Sequence, residues 1–446
     1  MGPVRGRAFW AAAVIISAAL VVAGCGGGGN EASGTGGAKA TPVSTPTCDQ
    51  QPTGGGQFTI VSDLPLQGSS RLQTEQMVAA IKYVLQERQF KAGDYTVQYQ
   101  SCDDSTAQAG KWDSATCSAN AKAYASNSSV IGVIGTFNSG CAALEIPIAN
   151  KAPEGPLAMV SPANTYVCLT HGGPGCASTE PDQYYPNQTR NYARVVAADD
   201  FQGAANALLT QELGIKNIYI LNDKEAYGQG VAENFQRAAE SLGIGIAGND
   251  AWDGKAANYQ ALMNKIKSSG ADGIFLGGLI CENGGQLIKD KVAVLGANDG
   301  AVKLLSPDGF TTDATINGEG SAGPENAEGM YMSVAGVPAD QLTGAGQEFI
   351  AGFKAAQGLD AVEPYTAYAA QAVEVLLTAI EKSDGTRASV AQNLFNLQIT
   401  DGILGDFQIN ADGDTDSNPI TFFIVHDGAM ETYKVLTPDP SLVATA

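Results

Sequence analysis

The segment Ile131-Gly-Val-Ile-Gly-Thr-Phe-Asn-Ser139 begins with apolar and small residues and ends with polar ones, and a helical apolar pattern follows from Ala142 to Ala149. The run from Val130 to Ile134 predicts a short buried strand, and the run from Leu157 to Val160 predicts the next one. A strand, a helix and a second strand in this order indicate parallel strands joined by a right-handed crossover. The segment therefore predicts an α/β fold.

The same alternation extends toward both ends of the chain. Two series of about five strands each predict two doubly wound lobes. After Met330 we expect a short strand and two long helices, near Ala345 to Gln357 and Pro364 to Glu381, and then a terminal hairpin of Gly405 to Ile409 against Thr421 to Val425. The other predicted strands include Phe58 to Val61, Tyr95 to Tyr99, Ile218 to Leu221, Ile244 to Ala247, Ile274 to Leu276 and Val302 to Leu305.

The N-terminal residues have the pattern of an export signal. Arg5 and Arg7 precede an apolar run from Ala8 to Ala23. A charged start, an apolar middle and a small residue at the end are typical of secretory signal peptides, and the run is too short for a stable membrane span. We predict a signal peptide over residues 1–24. A flexible tether is expected over residues 25–56, because Gly, Ala, Thr, Ser and Pro dominate there.

The end of this signal, Val22-Ala23-Gly24-Cys25, resembles the lipobox of bacterial lipoproteins. The resemblance implies that Cys25 receives a diacylglycerol and becomes the new N-terminus, which would hold the mature chain on the outer face of the membrane. The alternative is a plain signal peptide that contains a cysteine. The predicted location is extracytoplasmic, with a lipid anchor in the cell membrane.

The composition is that of a globular chain with a strongly acidic surface. The 446 residues are 44% hydrophobic and 7% aromatic, and the formal charge is -21. The chain after the tether is long enough for two domains with sizeable cores. Its charge argues against nucleic acid and against anionic lipid as partners.

Cysteine spacing predicts two disulfides. The chain has eight cysteines, so seven remain after lipidation of Cys25. An odd number in an oxidising compartment leaves at least one cysteine unpaired or in an intermolecular bond. We predict local pairs between Cys102 and Cys117 and between Cys168 and Cys176. Spacing leaves three cysteines open, namely Cys48, Cys141 and Cys281.

The sequence contains no motif that predicts catalysis, a metal or a cofactor. It has two histidines, no Cys-x-x-Cys, no phosphate loop and no nucleophile elbow. One G-x-G-x-x-G, from Gly318 to Gly323, lacks a strand before it and precedes a proline, so we interpret it as a surface loop. The alternating Asp412, Asp414 and Asp416 lack the closing glutamate of a calcium loop, so we interpret them as a solvated turn.

Six segments that follow one another along the chain share a resemblance. They are residues 131–139 together with Ile146-Pro-Ile-Ala-Asn150, Ser161-Pro-Ala-Asn-Thr165, Asn222-Asp-Lys-Glu-Ala-Tyr-Gly228, Gly277-Gly278 and Ser306-Pro-Asp-Gly309. Together they resemble the leucine/isoleucine/valine-binding protein family of type I periplasmic binding proteins. The resemblance implies two Rossmann-like lobes joined by three hinge strands. The N-terminal lobe would hold residues 57–197 and 335–402, and the C-terminal lobe residues 198–334 and 403–446.

The resemblance also implies which residues hold a small solute between the lobes. Ser139, Ala163 and Thr165 match positions that hold an α-carboxylate, and hydroxyls and free N–H groups at strand ends favour an anion. Tyr227 and Asp308 match second-lobe positions, and Asp308 stands where the family usually has a glutamate that pairs with the α-ammonium. A purely structural interpretation of these residues remains open. In it, Ser139 and Thr165 are helix caps, Tyr227 is a core aromatic residue and Asp308 is a turn residue.

We therefore predict a lipid-anchored solute-binding protein, and not an enzyme, that captures an amino acid of branched-chain type or a related amide for an ABC transporter. Its partners would be that solute, the permease subunits and the membrane through the lipid, with the protein itself a monomer. Leu279 stands where the family often has an aromatic residue, which leaves the side-chain specificity open. The alternative is a ligand-sensing surface receptor domain without a transport role, and an extracellular hydrolase lacks any recognisable nucleophile and base.

Overall fold

The computed structural model describes residues 39–443. The predicted signal peptide over residues 1–24 and the predicted lipidation site Cys25 lie outside the described residues. Within the described range, no helix has both the length and the apolar character needed to cross a membrane.

The first sheet takes its strands from residues 53–194 and is covered by helices on its faces. The strands are β1 (Thr53–Gly54), β2 (Phe58–Leu64), β3 (Lys91–Ala92), β4 (Tyr95–Asp103), β5 (Ser105–Thr106), β6 (Lys111–Trp112), β7 (Val130–Gly135), β8 (Ala158–Ser161) and β9 (Tyr192–Arg194), and the helices are α1 (Arg71–Glu87), α2 (Ser114–Ser126) and α3 (Ser139–Asn150). In the described part of the chain the sheet order is β1-β4-β2-β7-β8-β9, with β3 on β4, while β5 and β6 form a separate hairpin. The central strands are parallel and almost fully buried, which explains their continuous apolar runs.

The second sheet takes its strands from residues 217–436. The elements after β9 are α4 (Asp199–Glu212), β10 (Asn217–Asn222), α5 (Ala226–Ser241), β11 (Gly245–Ala251), α6 (Gln260–Ser269), β12 (Gly273–Gly277), α7 (Gly284–Leu295), β13 (Lys303–Ser306), α8 (Asp313–Ile316), α9 (Pro324–Ala327), β14 (Tyr331–Val334), α10 (Ala345–Gln357), α11 (Thr366–Glu381), α12 (Arg387–Asn393), β15 (Gln398–Gly402), β16 (Gly405–Gln408), β17 (Ile420–His426) and β18 (Ala429–Leu436). Among these residues the sheet order is β11-β10-β12-β13-β14-β17-β18, parallel as far as β14.

Helix α11 returns the chain to the first sheet, where it packs on α1, β7 and β8. The approach to β7 is close, because a Cβ on Gly132 would lie 2.6 Å from Leu376 Cδ1. Two helix-covered parallel sheets, with the chain passing between them more than once, confirm the predicted α/β architecture of two doubly wound lobes. The exact lobe boundaries stay a prediction.

The predicted C-terminal hairpin is wrong. Strand β16 pairs with β15, whereas β17 lies between β14 and β18. Asp427 and Gly428 join β17 to β18 as a two-residue turn, with φ of 50° and 76°. Positive φ at both central residues is typical of the type I′ turn that matches the twist of a hairpin. The Asp-Gly pair therefore sets the local pairing of the last two strands.

The predicted tether is wrong for residues 39–56, which pack on the first lobe. Ala40, Val43 and Cys48 are buried, and β1 pairs with β4. The buried Gln100 side chain accepts from the N–H of Val43 at 2.6 Å and donates to the carbonyl of Val43 at 3.2 Å. The hydrogen bonds of Gln100 and the disulfide of Cys48 therefore hold residues 39–56 on the lobe. The segment itself is too polar to form a core.

Within the described residues, the disulfides join Cys48 to Cys102, Cys117 to Cys141 and Cys168 to Cys176. The expected pair of Cys102 with Cys117 is wrong, whereas Cys168 and Cys176 are joined as expected. Cys281 is the free cysteine of this part of the chain. Local spacing does not determine the partner of Cys102, because the folded N-terminal segment brings Cys48 to it across a sequence separation of 54 residues.

Replacing Cys48 and Cys102 together by Ser should lower the free energy of unfolding by about 4 kcal/mol, because the crosslink restricts a long loop in the unfolded chain. The matched control is the Cys168→Ser and Cys176→Ser pair, which opens a loop of separation 8 and should cost about 2.5 kcal/mol on the same basis. Urea titration measures both variants. A smaller loss for the first pair than for the second would contradict the entropic account.

Candidate functional site

A small cavity lies between the two lobes. Its wall contains all five residues predicted to bind the solute, at the ends of strands or at the starts of helices. From the first lobe come Trp112, Phe137, Asn138, Ser139, Gly140, Ala163, Thr165 and Tyr365, and from the second lobe Glu225, Tyr227, Leu279, Asp308 and Gly309. Their role in binding stays a prediction, but the structure brings them together.

The first-lobe wall offers donors for an anion. Ser139 is the first residue of α3, so its hydroxyl lies beside the free N–H groups of that helix. The hydroxyl of Thr165 is buried and has no hydrogen-bond partner among the described residues. The N–H of Ala163 already donates to Ser161 Oγ at 3.2 Å. Ser139, Thr165 and the N-terminus of α3 therefore lie at the cavity wall, while the N–H of Ala163 is engaged within its own loop.

A buried ion pair holds the loop after β8 in place. Arg194, fully buried, donates from Nε to Asp414 Oδ1 at 2.6 Å. Its Nη1 donates to the carbonyls of Asn164 and Tyr166 at 3.2 and 2.8 Å. Interpreting Asp414 as part of a solvated turn is therefore wrong, because this carboxylate balances a buried guanidinium that fixes the loop.

The second-lobe wall carries a carboxylate surrounded by uncharged donors. Asp308 Oδ1 accepts from Tyr227 Oη at 2.6 Å and from Gln202 Nε2 at 2.7 Å, and Oδ2 accepts from Tyr365 Oη at 2.8 Å. Burial raises the pKa of Asp308, and the three hydrogen bonds oppose this rise. A carboxylate can accept about four hydrogen bonds. One acceptor position is therefore left for a further donor.

A second carboxylate lies next to this group. Asp199, the first residue of α4, accepts at Oδ1 from Gln202 Nε2 at 3.0 Å, so one amide bridges Asp199 and Asp308. Burial, together with the charge of Asp308, raises the pKa of Asp199 well above its usual value. Its Oδ2 is buried without a partner among the described residues. The negative charge at this end of the cavity therefore belongs to Asp308, because the raised pKa of Asp199 favours its protonated form.

An ion-pair bridge crosses the cleft beside the cavity. Lys111 in β6 of the first lobe contacts Glu225 Oε1 at 3.1 Å and also pairs with Glu282, both in the second lobe. Burial alone lowers the pKa of Lys111, but the two carboxylates, Glu282 foremost, outweigh it and hold this pKa above its usual value. This bridge, Lys111 with Glu225 and Glu282, exists only while the lobes are close.

Sequence reasoning missed five residues of the site, namely Trp112, Asp199, Gln202, Glu225 and Tyr365. Trp112, Asp199, Gln202 and Tyr365 lie outside the segments that carry the resemblance. Glu225 lies within one of them, Asn222 to Gly228, but was not among the predicted binding residues. Polar side chains at the start of α4 were the one available signal, because parallel strands lead into helices at the cleft edge of a sheet.

A family model described as periplasmic binding protein matches residues 59–429. The chain belongs to the periplasmic binding protein family, as the resemblance indicated. It is therefore a substrate-binding protein rather than an enzyme.

Known proteins resemble the chain in sequence and in structure. The Leu/Ile/Val-binding protein BraC3 of Rhizobium johnstonii is 29% identical over 252 residues, which cover 56% of this chain and 60% of that protein. The crystal structure of the leucine binding protein LivK from Thermotoga maritima superposes with a TM-score of 0.71 at 21% identity and covers 86% of this chain and 99% of that one. A solute binding protein of an ABC transporter from Rhodopseudomonas palustris, in complex with p-hydroxybenzoic acid, superposes with a TM-score of 0.70 at 16% identity. The match covers 86% of this chain and 98% of that one. The structural likeness shows the fold.

Proposed function

We propose that this chain is an extracytoplasmic solute-binding protein that captures a zwitterionic amino acid, of branched-chain type or a related amide, between its lobes for an ABC permease. The observation that supports this most directly is the buried carboxylate of Asp308, whose hydrogen bonds all come from uncharged groups. A buried charge is costly unless it is paired. The α-ammonium of an amino acid supplies the missing cation and fills the remaining acceptor position.

The opposite wall suits the other charge of a zwitterion. The hydroxyls of Ser139 and Thr165 and the N-terminus of α3 would receive the α-carboxylate. Between the two ends the wall is apolar, with Phe137, Leu279 and Tyr365, and such a wall favours an uncharged side chain on the solute. The two lobes thus contact different parts of one molecule, which is how a solute stabilises a closed cleft.

An aromatic carboxylic acid is the second candidate. The structural neighbour that holds p-hydroxybenzoic acid and the aromatic rings of Trp112, Phe137 and Tyr365 in the wall favour it. Asp308 opposes it, because a ligand with an anion and no cation leaves this buried carboxylate uncompensated. The charge at the second-lobe end therefore favours the zwitterion.

Calorimetry with L-leucine, L-isoleucine, L-valine, L-glutamine and 4-hydroxybenzoate tests this proposal. We expect at least one of the amino acids to bind with heat and to raise the melting temperature by mass action. The aromatic acid should bind far more weakly. Tight binding of 4-hydroxybenzoate with no response to any amino acid would overturn the proposal.

The proposed location depends on Cys25. A lipid on this residue would keep the binding protein close to its permease, and two acyl chains anchor much more firmly than one. We expect Cys25→Ala to release the protein into the medium with unchanged affinity for its solute. Fractionation of cells expressing the variant and the natural chain measures this, and a variant that stays with the membrane would contradict the anchor.

The bridge of Lys111 with Glu225 and Glu282 should slow the opening of the closed cleft. We expect Lys111→Met to speed dissociation of L-leucine by about three- to tenfold, a modest effect because the ammonium is partly exposed. Stopped-flow measurement reports the rate. Lys265→Met is the control, since Lys265 pairs with Asp250 within the second lobe at 2.6 Å, and equal rates in both variants would contradict a role for the bridge.

A further inference from the structure

The indole of Trp112 carries a donor that the protein itself does not use. Its Nε1 atom is buried and has no hydrogen-bond partner among residues 39–443, and the side chain lines the cavity. The other tryptophan of this part of the chain behaves differently, because Trp252 Nε1 donates to the carbonyl of Glu282 at 2.8 Å. A buried N–H without an acceptor costs about as much as a lost hydrogen bond. The indole N–H of Trp112 therefore needs a hydrogen-bond acceptor from a molecule that enters the cavity.

The ring lies over the first turn of α3. A Cβ on Gly140 would lie 2.6 Å from Trp112 Cζ2 and 2.8 Å from Cη2. The Cζ2 edge is the edge next to Nε1 in the indole, so the donor lies near the end of the cavity that Ser139 and the helix N-terminus form. Glycine at position 140 is what permits this close approach.

Lys111, the residue before Trp112, links this part of the first lobe to the second lobe. Trp112 and Lys111 form β6, which pairs only with the short strand β5 in the described structure. Lys111 in turn binds Glu225 and Glu282 of the second lobe. The hairpin of β5 and β6 is thus anchored on the far side of the cavity, and Trp112 is held over it when the lobes are closed.

We propose that Trp112 is a further ligand-binding residue, whose indole N–H donates a hydrogen bond to an oxygen of the bound solute. This inference rests on the proposed amino-acid function. The oxygen belongs either to the α-carboxylate, which all amino acids share, or to a side-chain carbonyl such as that of glutamine. Both give the same acceptor chemistry, and a comparison of solutes separates them.

The test observes the indole N–H groups directly. In a nitrogen-15 correlation spectrum of the labelled protein, the resonance lost in Trp112→Phe identifies Trp112. Adding L-leucine or L-glutamine should shift this proton downfield, as formation of a hydrogen bond requires. The resonance of Trp252, whose N–H is already bonded, should move much less and serves as the internal control.

Affinity gives the second measurement. Trp112→Phe keeps an aromatic ring but removes the N–H, and we expect it to weaken binding by about tenfold, or by up to about a hundredfold if the acceptor is charged. An equal loss for leucine and glutamine assigns the oxygen to the α-carboxylate, and a loss confined to glutamine assigns it to the side chain.

Two results would overturn the inference while leaving the proposed function intact. One is unchanged affinity in Trp112→Phe, and the other is weaker affinity with no selective shift of the Trp112 resonance, which would mean that the ring only packs. If the natural chain binds none of the amino acids, the proposed function fails first and the assignment of Trp112 fails with it.

Discussion

Replacement of Asp308 by Asn is expected to weaken the binding of L-leucine by about a hundredfold or more, because it removes one partner of a buried charge pair and leaves the α-ammonium unpaired. With its oxygen in the place of Oδ1, Asn still accepts from Tyr227 and Gln202, and its Nδ2 group can donate to the hydroxyl of Tyr365. The shape of the cavity should therefore change little. Calorimetry on the natural chain and the variant measures the loss.

The unliganded variant should be at least as stable as the natural chain. Burial raises the pKa of Asp308, so ionisation of this group disfavours the folded state above the ordinary aspartate pKa, near 3.9. Asn cannot ionise, and the expected gain in stability at neutral pH disappears in acid. Thermal unfolding without solute, at several pH values, measures this. Function and stability thus change in opposite directions at one residue.

A solute without the ammonium provides the control for this variant. The natural chain should prefer L-leucine strongly over 4-methylpentanoate, the same acid without its amino group, and Asp308→Asn should remove most of that preference. Such a cycle isolates the contact between the carboxylate and the ammonium. If the variant weakens both acids equally, Asp308 acts on the shape of the cavity and does not pair with the ammonium.

Replacement of Glu145 by Gln is expected to stabilise the protein at pH 8 by on the order of 3–5 kcal/mol and to flatten the dependence of its stability on pH. Glu145, Asp63 and Asp104 are all fully buried in the first lobe. Burial raises the pKa of Glu145 to about 8, and it raises the pKa of Asp63 and of Asp104 well above the usual value. Burial therefore favours the protonated, uncharged forms of this cluster of Asp63, Asp104 and Glu145.

The direction of the pH effect follows from the raised pKa. The folded protein holds the proton of Glu145 more tightly than the unfolded chain does. The stability that depends on this group is therefore complete below about pH 4.5 and is lost as the pH rises to about 8. Glutamine keeps an oxygen for the hydroxyl of Tyr124 and adds an N–H that can donate to Asp63.

Chemical denaturation between pH 4.5 and pH 8.5 tests this prediction. Glu87→Gln is the matched control, because Glu87 is exposed at the end of α1, and its pH dependence should follow that of the natural chain. Glu145 does not line the cavity, so Glu145→Gln should bind L-leucine with unchanged affinity. A variant as sensitive to alkaline pH as the natural chain would show that another group carries the effect.

The alternation of strands and helices could be predicted from the sequence because it depends on local apolar runs and their spacing. Val130 to Ile134 and Ile274 to Leu276 became buried central strands, since a strand covered on both faces must be apolar throughout. Ser139 and Thr165 could be placed at one sheet edge, and Tyr227 and Asp308 at another, because parallel strands end at the same edge of a sheet. That both edges border one cleft was what the resemblance to the family implied. The hairpin of β17 and β18 was not predicted, although Asp-Gly, here Asp427-Gly428, is a typical two-residue hairpin turn. The apolar run of β17 had been paired with the run before it instead.

The sequence by itself determined the class of fold, the two series of strands and the polar residues at their ends, since each depends on residues that are neighbours in the chain. Only the tertiary structure decided that Cys48 joins Cys102, that Asp199 and Tyr365 meet beside Asp308 and that Trp112 covers Gly140. These groups are far apart in sequence. The contacts of Cys48 and of Trp112 depend on how remote elements pack within the first lobe, and the contact at Asp308 depends on how the two lobes close on each other. Local periodicity carries no information about either.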